Sequence, residues 1–352
     1  MKKFLVGFSI FLLLLTVLPF IPLQTGWIRI WSYPRLQIAV LMLLTLVGWS
    51  FYFREIKKYL VLVVGLVAAI CYQSAKFLPY TFLWSPEVVN TETIVPEQEI
   101  SILFYNVYME NKKTEEFLSM AKSKQPDIIL LAETDEFWRN KMLPLHADYP
   151  YQVEVPLSNT YGLCLYSKLP LSSTEVKYLV EPDIPSIHTY VTLRSGQKIK
   201  LYCIHPEPPD LKKSTKDRDA ELVLVAKEIR TLKDPVIVAG DLNDVAWSST
   251  TNLFGRLSKC NDPRVGRGLL NTFNAKYPLI RWPLDHYFVS TDFTLNNIER
   301  MPFIGSDHFP IYISLSFNPA AKNENKQKKA DEEDMEDASE KLQEEKQEDK
   351  KE

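Results

Sequence analysis

The sequence contains few cysteines, and their spacing excludes two kinds of site. The 352 residues include four cysteines, and no two of them form a C-x-x-C pair. Neither a zinc-binding motif nor a dithiol redox motif is therefore indicated. Cys71 lies in an apolar run, Cys164 and Cys203 lie in strand-like patterns, and Cys260 stands alone. We expect buried free thiols rather than a disulfide framework.

The central part of the chain lacks a basic excess. Residues 97–319 carry 25 Lys/Arg and 28 Asp/Glu, a net charge of −3, whereas nucleic-acid-binding domains are typically strongly basic. This balance argues against a dedicated nucleic-acid binder, although it does not exclude an acidic nuclease.

The last segment, 319–352, is rich in Lys, Glu, Asp and Gln and has almost no apolar residues. Such a composition predicts a charged tail that is disordered or only transiently helical.

Long apolar runs near the N-terminus predict a membrane region. The runs cover residues 4–23, 36–53 and about 59–78. A membrane-spanning helix needs about 20 apolar residues, so we predict three transmembrane helices within residues 1–80. No small-x-small cleavage site follows the first run, which favours a retained helix over a signal peptide. Residues 81–98, which include two prolines, are predicted to be a linker.

The basic residues between the apolar runs predict the orientation in the membrane. Lys2 and Lys3 precede the first run, and Arg54, Lys57 and Lys58 lie between the second and third. Basic flanks are typically cytoplasmic. With three spans, the rest of the chain would lie on the other side. We therefore expect an integral protein of the inner membrane whose residues after about 80 lie on the extracytoplasmic side.

Residues 99–318 alternate strand-like and helix-like patterns, which indicates an α/β domain. The predicted strands are 100–105, 127–132, 161–167, 175–180, 188–193, 198–204, 236–239, 284–289 and 311–317. The predicted helices are 114–124, 135–145 and 214–232.

Polar residues recur at the ends of these predicted strands. Those that follow a strand directly are Asn106, Glu133, His205, Asp241 and Asn243, while Asp307 and His308 precede the last strand. Strand ends on a rigid sheet can bring polar groups together in one cleft. The recurrence therefore predicts a shared functional site.

Six short motifs, taken in order, give the chain a specific resemblance. They are Tyr105-Asn106-Val107, Ala132-Glu133, Ile204-His205-Pro206, Gly240-Asp241-Leu242-Asn243, Leu284-Asp285-His286-Tyr287-Phe288 and Gly305-Ser306-Asp307-His308-Phe309-Pro310. With these motifs the chain resembles the endonuclease/exonuclease/phosphatase superfamily, which includes DNase I-like nucleases, apurinic endonucleases, neutral sphingomyelinases and inositol polyphosphate 5-phosphatases. The resemblance implies a four-layer α/β sandwich, with two packed mixed β-sheets flanked by helices.

The resemblance also implies a metal site. Glu133 would be the main Mg²⁺ ligand, Asn106 would lie close by, and Asp307 would contribute. Carboxylate and amide oxygens suit Mg²⁺, and Mn²⁺ is a possible substitute.

The remaining motif residues would act on the phosphate and on protons. By resemblance, His308 would be the general base or support the phosphate, and Asp285 would orient its imidazole. Asp241 would position the nucleophile or protonate the leaving oxygen. Asn243 and His205 would hydrogen-bond the phosphate. No covalent nucleophile is required.

Three functional hypotheses follow. The first is a membrane-anchored, Mg²⁺-dependent phosphoesterase that hydrolyses a phosphate mono- or diester, with a lipid headgroup, a small phosphodiester or nucleic acid as substrate. The second is an extracytoplasmic DNA endonuclease, and the third is a catalytically silent scaffold. No protein partner is identifiable.

Four further residues are expected to have structural roles. His146, His188 and His286 are expected to be structural, and Arg218 is expected to form a salt bridge.

Overall fold

The fold is built around two β-sheets, and this computed structural model describes residues 1–21, 23, 25–209 and 214–348. The strands within these ranges are β1 (Glu99–Asn106), β2 (Ile128–Ala132), β3 (Tyr151–Val155), β4 (Leu163–Ser167), β5 (Leu171–Lys177), β6 (Ser186–Thr192), β7 (Lys198–Ile204), β8 (Val236–Asp241), β9 (Asp285–Val289), β10 (Phe293–Arg300) and β11 (Ile311–Phe317). The helices are α1 (Lys2–Val17), α2 (Gly26–Arg29), α3 (Arg35–Ser50), α4 (Leu60–Phe77), α5 (Thr114–Lys124), α6 (Glu136–Lys141), α7 (Lys216–Thr231), α8 (Ser249–Ser258) and α9 (Glu332–Glu348).

Both sheets are mixed. The first has the strand order β10-β11-β1-β2-β4-β3, and the second has the order β5-β6-β7-β8-β9. β1 and β2 run parallel, as do β7 and β8, whereas their other neighbours are antiparallel. A parallel pair needs a crossover connection, which α5 supplies in the first sheet and α7 in the second. The carboxyl ends of each parallel pair therefore lie at one edge of their sheet.

Alternate residues of the central strands enter different apolar cores. In β1, Ile102 and Phe104 lie in the core between the two sheets. Leu103 and Tyr105 point to the opposite face and pack with Phe117 of α5. This period of two is what a strand buried on both faces requires.

The second sheet repeats the arrangement. Ile237 and Ala239 of β8 lie in the core between the sheets, and Val238 packs outward with Leu222 of α7 and Phe254 of α8. Helices thus cover the outer face of each sheet. The prediction of a four-layer α/β sandwich is confirmed.

Several elements differ from the sequence prediction. The predicted helix 135–145 ends at Lys141, and a 3₁₀ turn over Leu143–Ala147 follows it, because Pro144 cannot continue an α-helix. The strands β3 and β10 and the helix α8 were not predicted. β3 is a half-exposed edge strand, and its sequence Tyr-Gln-Val-Glu-Val has too few apolar residues to stand out.

The N-terminal helices agree in part with the membrane prediction. Two segments, Lys2–Phe20 and Lys57–Tyr80, are long and apolar enough to cross a membrane. The middle apolar run, 36–53, is largely covered by the helix Arg35–Ser50. With the preceding Gly26–Ser32 this helix forms a pair bent by 66°, which would be a third span if the pair crosses the membrane as one. Pro22 of the first predicted span lies outside the described residues.

The three long N-terminal helices pack on each other through a small apolar core with polar links. Leu12 of α1, Met42 of α3 and Leu66 of α4 are buried together. Trp49 Nε1 donates to Ser9 Oγ at 3.1 Å. Among the cysteines, Cys71 on α4 is exposed, while the other three are buried and free.

The C-terminal segment corrects the prediction of a disordered tail. Residues 332–348 form α9, which packs against α7 and α8. Ala338 is fully buried, Lys341 Nζ lies 3.0 Å from Asp219 Oδ2, and Arg256 pairs with Asp334 at 2.7 Å. Composition alone missed this because the helix uses few apolar contacts and is held by charge pairs. Residues 349–352 of the predicted tail lie outside the described residues.

Candidate active site

The two parallel strand pairs place their polar end residues close together. Asn106 ends β1 opposite Ala132, the last residue of β2, so Glu133 follows directly beside it. Asp241 ends β8 in the second sheet. Asn106 Nδ2 donates to Glu133 Oε1 at 2.8 Å and to Asp241 Oδ2 at 3.1 Å. The side-chain amide of Asn106 therefore connects the edges of the two sheets at which β1, β2 and β8 end.

His308 lies between two carboxylates. Its Nδ1 is 3.0 Å from Asp285 Oδ2 and 3.1 Å from Asp285 Oδ1, and its Nε2 is 3.6 Å from Asp241 Oδ2. β8 and β9 are antiparallel, with Asp241 directly opposite Asp285. Because all three side chains are buried, their charges interact strongly.

This environment changes the protonation of the site. Burial lowers the pKa of His308, but the carboxylates of Asp285 and Asp241 outweigh it and raise that pKa to about 10. Burial, followed by the charge of Asp285, raises the pKa of Asp241 above its ordinary range. A protonated imidazole thus lies beside a carboxyl group that can exchange a proton near neutral pH.

His205 and Asn243 border the same edge, with different constraints. His205 Nε2 is 4.0 Å from Asp241 Oδ2, and no hydrogen-bond partner among the described residues reaches its Nδ1. Burial lowers the pKa of His205 to about 4, so its ring is neutral. Asn243 Nδ2 donates to the Pro206 carbonyl at 2.9 Å, and Asn243 N donates to Asp241 Oδ1 at 2.8 Å. Asn243 is therefore held between the end of β8 and the loop that contains Pro206.

The carboxylate of Glu133 is held by a neutral amide. Within the described part of the chain it forms no ion pair with Lys or Arg, and its side chain accepts from Asn106. Burial raises the pKa of Glu133 and the charge of Asp307 adds to this increase, while the hydrogen bond from Asn106 and the charge of His308 oppose it. Asp307, which is half-buried, thus lies within electrostatic range of Glu133. Such a carboxylate would be stabilised by a cation.

Ser306 holds the first sheet to the His308 loop, a role that motif comparison did not assign. Its Oγ donates to the Asn106 carbonyl at 2.9 Å and accepts from His308 N at the same distance. The preceding Gly305 has φ +99°, and a Cβ there would lie 2.4 Å from Asn111 Oδ1. Glycine is therefore required at this turn.

The backbone of Asn243 is held by residues that lie far apart in sequence. Its carbonyl accepts from Arg218 Nη1 at 3.0 Å and from Tyr33 Oη at 2.8 Å. Arg218 also pairs with Asp219 and Asp244, as the salt-bridge prediction expected. Tyr33, which follows α2, was missed because no local pattern links an N-terminal tyrosine to a strand end.

A cluster of buried polar side chains contacts the backbone of Asp285. Arg264 Nη1 donates to the Asp285 carbonyl at 3.1 Å and is paired with Asp262. His286 points to the other face of β9, where it contacts Arg264 and the Asp244 carbonyl. These contacts agree with the structural role predicted for His286.

A family model of the Endonuclease/Exonuclease/phosphatase family matches residues 103–308. The chain belongs to this family. The match runs from β1 to His308 and so contains the whole candidate site. Members of the family hydrolyse phosphate-ester bonds, and this chain is accordingly a hydrolase of that type.

Known proteins share the fold at low sequence identity. TDP2 of D. rerio, in a complex with a single-strand DNA product, is 20% identical, with a TM-score of 0.53 over 62% of this chain and 99% of that one. The human Nocturnin catalytic domain is 16% identical, with a TM-score of 0.52 over 64% and 97%. A UPF0294 protein of Vibrio campbellii is 22% identical over 66% of this chain and 83% of its own. The two structural likenesses show the DNase I-like fold.

Two groups of side chains in the site have a composition that suits a divalent metal. The predicted group offers the carboxylate oxygens of Glu133 and Asp307, which fit a hard cation such as Mg²⁺. Its third member, Asn106, directs Nδ2 to Glu133, and its Oδ1 accepts from Tyr108 N at 3.1 Å. A second group, Asp241, Asp285 and His308, has ligand atoms within 4.8 Å of one another. In the second group, however, His308 and Asp285 already satisfy each other. Glu133 lacks such a partner, so the first group has the stronger need for a cation.

Proposed function

We propose that this protein is a membrane-anchored, Mg²⁺-dependent phosphoesterase that hydrolyses a phosphate mono- or diester by attack of water. The observation that carries the proposal is the pair of hydrogen bonds from Asn106 to Glu133 and Asp241. These bonds connect the carboxylate of Glu133, which is suited to a metal, with that of Asp241, which faces His308 and Asp285. A metal site and a proton-transfer site thus border the same space.

Glu133, Asn106 and Asp307 would hold the cation, and Mn²⁺ could replace Mg²⁺. When bound, the metal would offset negative charge on the phosphate oxygens. The amide of Asn106 would remain between the sheets and fix the position of Glu133.

The other residues would bind the phosphate and move protons. With its pKa raised to about 10, His308 is protonated at neutral pH and would donate from Nε2 to a phosphate oxygen. Asp285 holds the opposite nitrogen and stabilises the imidazolium. Asp241, whose pKa is raised, would accept a proton from the attacking water and return it to the leaving oxygen. Because His205 is neutral, it can donate a hydrogen bond without adding charge.

Contacts with the N-terminal helices support a substrate at a membrane surface. Tyr80 Oη donates to the Ala246 carbonyl at 2.6 Å, and Trp247 Nε1 donates to the Ser32 carbonyl at 2.8 Å. Both bonds tie the apolar helices to the loop after Asp241. Nearby, Gln37 donates to the carbonyl of Leu279, whose side chain is 83% exposed. The exposed apolar residue Leu279 would lie at the lipid surface.

The test uses the full-length protein in a phosphate-free detergent. A phosphomonoester, a phosphodiester, sphingomyelin and supercoiled plasmid would be assayed with Mg²⁺, with Mn²⁺ and with EDTA. We expect metal-dependent turnover that falls by about 10²-fold or more in Glu133→Gln and His308→Ala. Glu136→Gln, which removes an exposed carboxylate in the helix after Glu133, is the matched control and should leave turnover unchanged.

The substrate panel separates the alternatives. Plasmid cleavage with a steep salt dependence would assign the endonuclease activity instead. Turnover that is insensitive to EDTA, or equal in Glu133→Gln and Glu136→Gln, would contradict the metal assignment. A folded protein that neither turns over any substrate nor binds Mg²⁺ would support the silent scaffold.

We also propose that the catalytic domain lies outside the cytoplasm of the cell, anchored in the inner membrane. The distribution of Lys and Arg around the apolar runs supports this orientation. Cysteine-labelling of intact cells with a membrane-impermeant maleimide would test it. Ser195→Cys, on an exposed turn of the catalytic domain, should be labelled, and Lys58→Cys should not. The reverse pattern would place the domain in the cytoplasm without changing the chemistry.

A further inference from the structure

A cavity of about 240 Å³ lies where the N-terminal helices meet the catalytic domain. Its helix side is formed by Phe20 after α1, by Arg29 and Arg35 at the bend between α2 and α3, and by Tyr72 and Lys76 near the end of α4. The start of α8 closes the domain side. Three cationic side chains from the N-terminal segments therefore border one partly open cavity.

Arg35 is the most constrained of these cations. It is 5% exposed, its Nη1 donates to Gln73 Oε1 at 2.9 Å, and no hydrogen-bond partner among the described residues reaches its Nε. The Nε of Arg29 is also buried, and no partner within the same ranges reaches it. The guanidinium of Arg35 lies 5.4 Å from the centre of the Tyr72 ring. A buried donor on a charged group is costly when it is left unsatisfied, so an acceptor in the cavity would stabilise it.

The catalytic domain does not supply a free counter-charge. Asp244 is the carboxylate among the residues that line the cavity. It accepts from Ser248 Oγ at 2.6 Å and lies 3.4 Å from Arg218 Nη2. Neither Arg35 nor Lys76 forms an ion pair with any carboxylate of the described residues. Asp244 attracts Arg35 electrostatically, but its close contacts are with Ser248 and Arg218, so among the described residues no carboxylate pairs directly with Arg35 or Lys76.

We propose that this cavity binds a phosphate group at the membrane surface. Guanidinium groups match phosphate oxygens through parallel N–H donors, and an ammonium adds a compact charge. The volume equals about eight waters at the ~30 Å³ that each occupies in the liquid, which is enough for a phosphate and part of an ester. Basic pockets between membrane helices commonly bind anionic headgroups, and aromatic side chains such as Phe20 and Tyr72 are typical of this depth.

The cavity is distinct from the candidate active site. None of the eight candidate active-site residues lines it. The two are nevertheless connected, because Arg218 borders the cavity and also donates to the Asn243 carbonyl. A bound phosphate group would add an acceptor next to the residues that hold this loop. Its expected effect is to stabilise the docked arrangement of helices and domain.

The test measures thermal stability of the full-length protein in dodecyl maltoside with EDTA, a medium without phosphate. Short-chain phosphatidylglycerol and inorganic phosphate are titrated separately. We expect a rise in Tm that needs about tenfold or more additional ligand in Arg35→Gln and in Lys76→Gln, since each removes a charged donor. Lys58→Gln removes one charge from the segment before α4, away from the cavity, and should respond like the wild type.

The two titrations identify the source of the phosphate group. A response to phosphatidylglycerol alone assigns a lipid headgroup, and a response to both assigns the phosphate group in general. His308→Ala should keep the response, because it leaves the cavity intact. A response lost in His308→Ala but kept in Arg35→Gln and Lys76→Gln would place the ligand in the active site and overturn the proposal. The proposal would also be overturned if neither ligand raised the Tm of the wild-type protein. Lys76, which is less buried than Arg35, keeps the test usable if Arg35→Gln does not fold.

Discussion

Loss of one lysine in α9 should destabilise the catalytic domain. Lys341 is 3% exposed, and its Nζ lies 3.0 Å from Asp219 Oδ2, which also accepts from Thr250 Oγ1 at 2.9 Å. Removing one partner of a buried pair costs about 3–5 kcal/mol. Because Arg218 still pairs with the other oxygen of Asp219 at 2.7 Å, we expect Lys341→Met to cost about 2–3 kcal/mol. That corresponds to a fall in Tm of roughly 5–10 °C.

The assay is thermal unfolding of the full-length protein, together with limited proteolysis of the C-terminal segment. Lys346→Met is the matched control, since Lys346 lies exposed on the same helix. We expect Lys341→Met to unfold at lower temperature and to release α9 to protease, while Lys346→Met behaves like the wild type. Equal stability and protection in the two variants would refute the docked helix.

The pH dependence gives a second check on the same pair. Burial raises the pKa of Asp219, but Lys341 and Arg218 outweigh it and lower that pKa below its usual range. The stability gained from the pair is therefore present above the unfolded-state value of about 4 and is lost as pH falls below it. The difference in Tm between wild type and Lys341→Met should shrink in acid. A difference that grows as pH falls would contradict this sign.

Three further predictions concern the site. In metal-free protein, Asp285→Asn removes a charge 3.0 Å from His308, so the pKa of His308 should fall by about 2–3 units, as followed by NMR of the imidazole; an unchanged pKa would show that Asp285 is not its cause. Tyr33→Phe removes the 2.8 Å hydrogen bond to the Asn243 carbonyl and should lower kcat by about tenfold, whereas an unchanged kcat would separate this bond from catalysis. EDTA should abolish turnover and Mg²⁺ should restore it, and activity that survives exhaustive chelation would rule out the metal requirement.

The sequence alone was sufficient to predict where the strand-end residues lie. Asn106, Glu133 and Asp241 each follow a short run of apolar residues that can only be a buried strand, and parallel strands align their carboxyl ends. The contact between the two sheets was not predictable from periodicity. The 3.1 Å bond from Asn106 to Asp241 depends on how the sheets stack, which the alternation of apolar residues leaves open.

Long-range polar contacts were the part that sequence patterns missed. Neither the link between Lys341 and Asp219 nor that between Tyr33 and Asn243 has a local signature, because each joins elements far apart in the chain. Composition made the segment around Lys341 look solvated, since charged residues rarely pack. The helix is ordered because its charges pair with opposite charges on the neighbouring helices, the buried Asp219 on α7 and the partly exposed Arg256 on α8.

The contact between the N-terminal helices and the catalytic loop leads to a final prediction. Val245, Ala246 and Trp247 are buried in one apolar cluster with Tyr33 and Tyr80. Without residues 1–80, these side chains would face water, and burial of each large one is worth about 1.5–3 kcal/mol. The loop that they form continues directly from the candidate active-site residues of β8. Removing the helices should therefore disturb the site as well as the anchor.

We expect a protein comprising residues 81–352 to have a lower Tm and a lower kcat toward a soluble phosphodiester than the full-length protein in detergent. A soluble substrate is essential, because it removes any advantage of membrane attachment itself. A control with Leu43→Ala, which shortens an exposed side chain on the membrane part of α3 without touching this cluster, should keep the full-length kcat. If residues 81–352 alone matched the full-length protein in both Tm and kcat, the N-terminal helices would act only as a tether, and their bonds to the Asn243–Trp247 loop would have no part in shaping the site.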